Sequence, residues 1–144
     1  MAHCAYCGVS SNSLERDHIP PKCLYPESRR ANLNLITVPA CALCNRGHSN
    51  DEATFRDVML VAGDSNAAVL ELWPKAGRSF YHLDGRRRAT DLWKMLVPVM
   101  VDGEDRKMIF PARSEAVLRV LRKIVRGLAH HHGLATAIPE SSVS

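Results

Sequence analysis

The sequence predicts an α+β fold: two short strands and a helix fastened together by cysteines, followed by a mainly helical extension. Two pairs of cysteines with the same spacing lie on either side of a segment that contains β-branched residues. Helical apolar periodicity begins after the second pair and returns strongly from residue 117. We place the boundary near residue 62, so that residues 1–62 form the cysteine-containing unit and residues 63–144 the extension.

The composition is that of an ordinary globular protein. The chain has 144 residues, of which 46% are hydrophobic and 24% charged, and its formal net charge of +4 is compatible with a polyanionic partner. No apolar run approaches the ~20 residues of a membrane span, and the first residues carry no apolar signal core. We therefore expect a cytoplasmic protein with no membrane partner. Cytoplasmic thiols are kept reduced, so the five cysteines indicate metal binding or catalysis before disulfides.

Two strands and a knuckle are predicted in the first unit. A strand over residues 14–19 is stopped by Pro20, which cannot donate a hydrogen bond to a ladder. Residues 34–38 are rich in β-branched side chains and form the second predicted strand. Residues 41–47 are expected to form a knuckle that leads into a short helical turn.

A helix is predicted to close the first unit. Ser49 and Glu52 have the spacing of a capping box, and the helical pattern that follows ends at Gly63. The apolar face of this helix is predicted to contain Phe55, Val58, Met59 and Ala62.

The extension carries weaker signals at first. A helix is predicted over residues 66–72, and a turn at Asp84-Gly85 interrupts an ambiguous stretch. Residues 97–101 and 108–110, separated by Asp-Gly-Glu-Asp, are predicted to form a hairpin.

The strongest helix signal follows Ser114, which is predicted to cap a helix that runs to about residue 132. Its core face is predicted to consist of Val117, Val120, Leu121, Ile124, Val125 and Leu128. The opposite face carries Arg119, Arg122, Lys123 and Arg126, which we interpret as a solvated surface before a binding groove. The tail from residue 135 is expected to be loose.

The cysteine pairs predict a structural zinc site. Cys4, Cys7, Cys41 and Cys44 supply the four thiolates of a tetrahedral shell. A redox pair is the alternative, but two pairs without a thioredoxin-like context argue against it. The 33 residues between the pairs, 8 through 40, exceed the spacing of simple zinc ribbons and contain an Asp-His dipeptide. Cys23 is expected to be a free thiol without a role.

Asp17, His18 and Asn45 form the candidate catalytic group. We expect the pleat to be broken before the double proline, so that Asp17 and His18 reach one phosphate, with Asn45 held close by the second knuckle. One carboxylate and one amide oxygen suit a hard ion such as Mg2+. A neutral histidine, with an ordinary pKa near ~6.5, can take a proton from an attacking water.

Three further residues are candidates around this group. Asn34 is placed to orient His18 by a hydrogen bond, and Lys22 and Arg46 are near enough in sequence to clamp phosphate. His48 is either another metal ligand or, as we favour, a side chain that is exposed to solvent or contacts phosphate.

These motifs together resemble the HNH, or ββα-metal (His-Me finger), endonucleases, in the zinc-containing variant with Asn in the third position. The resemblance covers residues 3 to about 57 and rests on Cys4-x-x-Cys7, Asp17-His18-Ile19-Pro20-Pro21, the stretch from Asn34 to Cys41, and Cys44-Asn45. It implies a metal-dependent enzyme that hydrolyses DNA phosphodiester bonds. It also implies that His18 is the general base, that Asp17 and Asn45 bind the catalytic ion, and that Asn34 takes the middle position.

Two other functions stay open from the sequence. One is a zinc-ribbon-like module that binds nucleic acid without cutting it, and the other is a scaffold for another subunit. Asp17, His18 and Asn45 are the residues that a pure binder or scaffold does not need. A homodimer is a further expectation, because double-strand cutting by one-site nucleases often takes two subunits.

Overall fold

The computed structural model describes residues 1–63 and 66–143 and shows a mixed α+β fold, as predicted. The strands are β1 (Ala2–His3), β2 (Ser10–Ser11), β3 (Glu15–Ile19), β4 (Ile36–Ala40), β5 (Val97–Val101) and β6 (Glu104–Met108). The α-helices are α1 (Glu27–Arg30), α2 (Ala42–Arg46), α3 (Ser49–Ala62), α4 (Ala67–Ser79), α5 (Leu83–Met95) and α6 (Glu115–His131). In the described part of the chain the strands pair in sequence order as three two-stranded antiparallel sheets.

The β3–β4 hairpin positions the candidate residues. β3 is confirmed within one residue of its predicted start, whereas β4 lies two residues later than predicted. The ladder is continuous from Glu15↔Ala40 to Ile19↔Ile36, so side chains alternate along all of β3. The expected break in the pleat is therefore wrong, because pairing continues through Ile19 up to Pro20.

Helix α3 has the predicted extent but a different start and face. Its N-cap position is occupied by His48, and the Ser49 hydroxyl donates to the carbonyl of Arg46, so the predicted capping box is wrong. Met59 and Ala62 are exposed, because the buried face is turned toward Leu60. The buried residues of the helix are Phe55, Arg56, Asp57, Val58 and Leu60.

The extension is more regular than predicted. The predicted hairpin and its first strand are confirmed, but the second strand is Glu104–Met108 and not 108–110. Asp102 and Gly103 both have positive φ, as a two-residue type I′ turn requires, so the second strand begins directly after them. The predicted turn at Asp84-Gly85 is wrong, since both residues lie in the first turn of α5. Gly85 is required there by close packing, because a Cβ would lie 1.8 Å from the carbonyl oxygen of Ser79.

The hydrophobic core joins the two predicted segments. One cluster combines residues from β3 and β4 with Ile124 and Leu128 of α6, and another combines Phe55 and Val58 of α3 with Val120 of α6. The extension thus completes the core of the first 62 residues. No helix in the two described ranges is long and apolar enough to cross a membrane.

Helix α6 is capped by Ser114 as predicted, but it turns a different face inward. Leu121 and Val125 are 43% and 49% exposed, whereas Lys123 and Arg126 are buried. The interpretation of the basic face as solvated is wrong for these two cations, because both find polar partners inside the protein. Arg126 also donates to the carbonyl of Ile138, so the tail folds back onto α6 instead of being loose.

Candidate metal centre and basic groove

The four predicted zinc cysteines lie together. Cys4 and Cys7 belong to the knuckle between β1 and β2, Cys41 directly follows β4, and Cys44 lies in α2. Their sulfur atoms are all within 4.8 Å of one another, and the Cys7 and Cys41 sulfurs are 3.8 Å apart. Four thiolates at about 2.3 Å from a tetrahedral zinc ion are about 3.8 Å from each other. The cluster could therefore hold a zinc ion with little movement.

Backbone hydrogen bonds shape both knuckles. Gly8, at φ +74°, donates its N–H to the carbonyl of Cys4, and the N–H of Asn45 donates to the carbonyl of Cys41. Burial acts to raise the pKa of Cys4, but hydrogen bonds from the N–H groups of Cys7, Cys41 and Tyr6 outweigh it and lower the value to about 7. In the same cluster burial first, and hydrogen bonding to Cys41 second, raise the pKa of Cys44, so the four thiols do not ionise alike. A bound metal ion would favour the thiolate form of each.

Asp17 faces the interior. Its Oδ2 accepts a hydrogen bond of 2.7 Å from the Tyr6 hydroxyl and lies 2.8 Å from the Lys123 ammonium. Lys123 also donates to Glu52 and is 1% exposed, so the ammonium is shared by two carboxylates away from solvent. Burial, together with the charge of Asp17, raises the pKa of Tyr6, which keeps its hydroxyl protonated as a donor.

Asn45 and Arg46 have a different carboxylate partner. The Asn45 amide donates to Glu15 at 2.6 Å, and the Arg46 guanidinium pairs with the other oxygen of Glu15. Hydrogen bonds from Asn45 first, and from Arg46 second, lower the pKa of Glu15. The two predicted ligands of a catalytic ion thus pair with different side chains: Asp17 pairs with Lys123, and Asn45 pairs with Glu15.

The surroundings of Asp17 do not fit a hydrated magnesium ion. Mg2+ requires near-octahedral geometry and usually keeps several waters. Asp17 is 6% exposed, and an ammonium already lies at hydrogen-bond distance from its carboxylate. We therefore assign no catalytic step to an ion at this position.

His18 faces the opposite side of β3, toward an open groove of about 470 Å³. The groove brings together three predicted site residues, His18, Lys22 and Asn34. Partial burial first, and the charge of Lys22 second, lower the pKa of His18, although Asp17 acts in the other direction. The imidazole is therefore neutral at ordinary pH and can accept a proton.

Two arginines of this groove were missed by the sequence analysis. Arg16 lies two residues before His18 on the same strand face and donates to the Thr37 hydroxyl from Nε and Nη2, at 3.2 and 3.1 Å. Arg30 donates from Nε to the carbonyl of Tyr25 at 2.9 Å. Strand alternation could have identified Arg16, whereas nothing in the local pattern marks Arg30 as a neighbour of His18. Both guanidiniums are oriented by the protein itself.

The remaining predicted residues lie elsewhere. Arg46 and His48 are not among the described residues that line this groove. The Nδ1 atom of His48 is 3.8 Å from Asp51, whose carboxylate is held by Arg119 of α6. Cys23 donates from Sγ to the carbonyl of Glu52 at 3.6 Å, and burial raises its pKa to about 11, which suits an unreactive thiol.

Comparisons of the chain with protein-family models, with curated proteins and with solved structures found no match. What the structure itself shows is a protein of mixed α+β class with a four-cysteine cluster that could bind zinc.

Proposed function

We propose that this protein is a zinc-stapled endonuclease of the HNH kind, which binds DNA in the His18 groove and hydrolyses its phosphodiester bonds. The observation that carries the proposal is the lining of that groove. His18 shares it with the cations of Arg16, Lys22 and Arg30, and no carboxylate is among the described residues that line it. An electropositive groove with a neutral imidazole suits a phosphodiester substrate.

The chemistry assigned to these side chains is general-base hydrolysis. The His18 imidazole takes a proton from water as the water oxygen attacks phosphorus, and the bond from phosphorus to the leaving sugar oxygen breaks while that oxygen takes a proton from solvent. The guanidiniums of Arg16 and Arg30 stabilise the charge that develops on the phosphate oxygens, with Lys22 as a third cation. Asn34 lines the same groove, and in this proposal its amide orients the imidazole ring.

In this proposal the metal of the four cysteines is a structural Zn2+ ion. It ties the β1–β2 knuckle to the end of β4, which Ala5 also contacts through the carbonyl of Pro39. Structural zinc sites contribute on the order of 10 kcal/mol to the folding of small domains. The ion would thereby hold β4, and through the ladder β3 with His18, in register.

A second candidate is a module that binds nucleic acid without cutting it. It is favoured by one observation: the carboxylate next to His18 in sequence is already neutralised by Lys123, so no carboxylate is assigned to a catalytic ion. Cutting itself separates the two candidates most simply, because a binding module leaves the phosphodiester bonds intact.

The test is incubation of the full-length protein with supercoiled plasmid and branched DNA, with and without Mg2+, scored for nicking. Because general-base catalysis is worth about 10²–10⁴-fold in rate, His18→Ala should lose at least about a hundredfold in cutting while it keeps DNA binding. His131→Ala, an exposed histidine at the end of α6, is the matched control and should cut normally. Equal cutting by His18→Ala would remove His18 from the mechanism, and binding without cutting by every variant would favour the second candidate.

A further inference from the structure

The Asp17 carboxylate belongs to a buried group of charges built from three elements. Asp17 comes from β3, Glu52 from the first turn of α3, and Lys123 from the middle of α6. The Lys123 Nζ lies 2.8 Å from Asp17 Oδ2 and also donates to Glu52. We infer that Asp17 and Glu52 form a cation site whose resident cation is the ammonium of Lys123, and that a divalent ion binds there only when this ammonium is removed.

The burial of the ammonium supports this assignment. The Lys123 side chain is 1% exposed, less than any other lysine that forms an ion pair in the described residues. A buried ammonium is stable only where opposite charge and hydrogen-bond acceptors surround it, and here two carboxylates do so. The Tyr6 hydroxyl donates to the same Asp17 oxygen and completes its hydrogen bonds.

The charges explain why the two kinds of cation exclude each other. Two carboxylates and one ammonium leave one net negative charge, so a divalent ion beside Lys123 would meet a positive charge at short range. Without Lys123, the carboxylates of Asp17 and Glu52 would be brought together by the same elements, without the ammonium between them. Carboxylate oxygens converging in this way are the ligands that hard divalent ions prefer.

The position of Lys123 also links the extension to the hairpin. Gly127, one turn after Lys123, packs so closely on Ile19 that a Cβ there would lie 2.7 Å from the isoleucine side chain. The resident cation therefore comes from a helix that already packs against β3. An ion from solvent would have to displace the Lys123 ammonium, which the packing of α6 on β3 already holds next to Asp17.

Titration of the zinc-loaded full-length protein with Mn2+, followed by electron paramagnetic resonance, tests the inference. The wild type and Asp17→Asn should bind Mn2+ equally weakly. Lys123→Met should bind one Mn2+ at least about tenfold more tightly than the wild type, because two unpaired carboxylates attract the ion. The double variant Lys123→Met/Asp17→Asn should lose this gain, and Lys94→Met, which removes an exposed lysine of α5, should behave as the wild type.

Two results would overturn the inference. The first is one tight Mn2+ in the wild type that Asp17→Asn removes, and the second is a folded Lys123→Met that gains no Mn2+ binding. If Lys123→Met does not fold, Lys123→Arg replaces it: a folded Lys123→Arg with Mn2+ binding as weak as the wild type supports a resident cation, and tight Asp17-dependent binding in it contradicts one. The inference does not depend on nuclease activity, so its failure and the failure of the proposed function are seen in different assays.

Discussion

The two faces of strand β3 differ in burial and in charge, although their residues alternate along the same five positions of the chain. Arg16 and His18 point to an open groove lined by cations, whereas Asp17 and Ile19 point into the interior against α6. Adjacent residues of β3 thus lie in different environments. One environment is an open, positively charged groove, and the other is the protein interior, where the charge of Asp17 is paired with that of Lys123. The comparison shows that an Asp-His motif in a regular strand supplies one residue to each face, since the side-chain period is two.

The difference also separates two kinds of role. The outward face can change without loss of core packing, because its side chains line the open groove and are not part of the hydrophobic clusters of the described residues. The inward face cannot, because its carboxylate compensates a buried ammonium.

Loss of the metal at the four cysteines should unfold the domain and so remove both faces of β3 together. Cys4→Ser, or removal of the ion by a chelator, should cost on the order of 10 kcal/mol if zinc is bound, which is enough to unfold the domain. Circular dichroism with and without chelator, together with metal analysis by mass spectrometry, measures this. Cys23→Ser is the matched control and should keep the fold and one zinc per chain. A folded, metal-free Cys4→Ser protein would remove the zinc from the account.

Removal of the buried ammonium should damage only the inward face. Lys123→Met leaves Asp17 and Glu52 uncompensated, and breaking a buried pair in this way typically costs about 3–5 kcal/mol. Urea denaturation of the variant against Lys94→Met measures the difference. A decrease in unfolding free energy below about 1 kcal/mol, which is typical of an exposed ion pair, would show that Lys123 is not tightly coupled to Asp17 and Glu52.

Acid should stop cutting by protonating the base on the outward face. The pKa of His18 is lowered by partial burial and by Lys22, so the neutral base persists below the ordinary histidine range. The rate of cutting is therefore expected to be flat above pH about 6.5 and to fall only as pH drops through the lowered value, because protonated imidazole cannot accept a proton. A pH–rate profile between about pH 5 and 8 checks this. A rate that already falls well above pH 6.5 would contradict the lowered pKa.

The smallest effect is expected from one groove cation. Arg16→Ala should weaken DNA binding about equally for all sequences and should reduce the slope of log affinity against log salt by about one contact, near 0.9. Fluorescence anisotropy at several salt concentrations measures the slope. Arg106→Ala, an exposed arginine of the β5–β6 hairpin, should leave it unchanged. Identical slopes for wild type and Arg16→Ala would place the DNA backbone away from the groove.

Much of the fold could be predicted because its signals are local. Cysteine spacing indicated the four-thiol cluster, Asp102-Gly103 supplied the turn chemistry of a hairpin, and Ser114 marked the start of α6. The inward face of α6 could not be predicted in the same way. The apolar periodicity placed Leu121 on the predicted core face of α6, although this side chain is exposed. Periodicity cannot show that Lys123, far along the chain, meets Asp17.

The candidate site could likewise be predicted only in its locally determined part. His18, Lys22 and Asn34 were expected to lie together and share one groove, because the hairpin and the loop inside it are local structures. Arg30 reaches that groove only through the course of the loop, which no pattern in the sequence specifies. The partner of Asn45 is Glu15, a carboxylate at the first position of β3 that the motif does not include.

The separation of the two faces is tested most directly by one paired measurement on Asp17→Asn and His18→Ala. Both variants are assayed for unfolding free energy in urea and for affinity to a duplex DNA. We expect Asp17→Asn to lose a few kcal/mol of unfolding free energy but to bind DNA as the wild type does under folding conditions, and His18→Ala to keep its stability within about 0.5 kcal/mol. An Asp17→Asn protein of unchanged stability that no longer binds DNA would contradict the separation of the two faces.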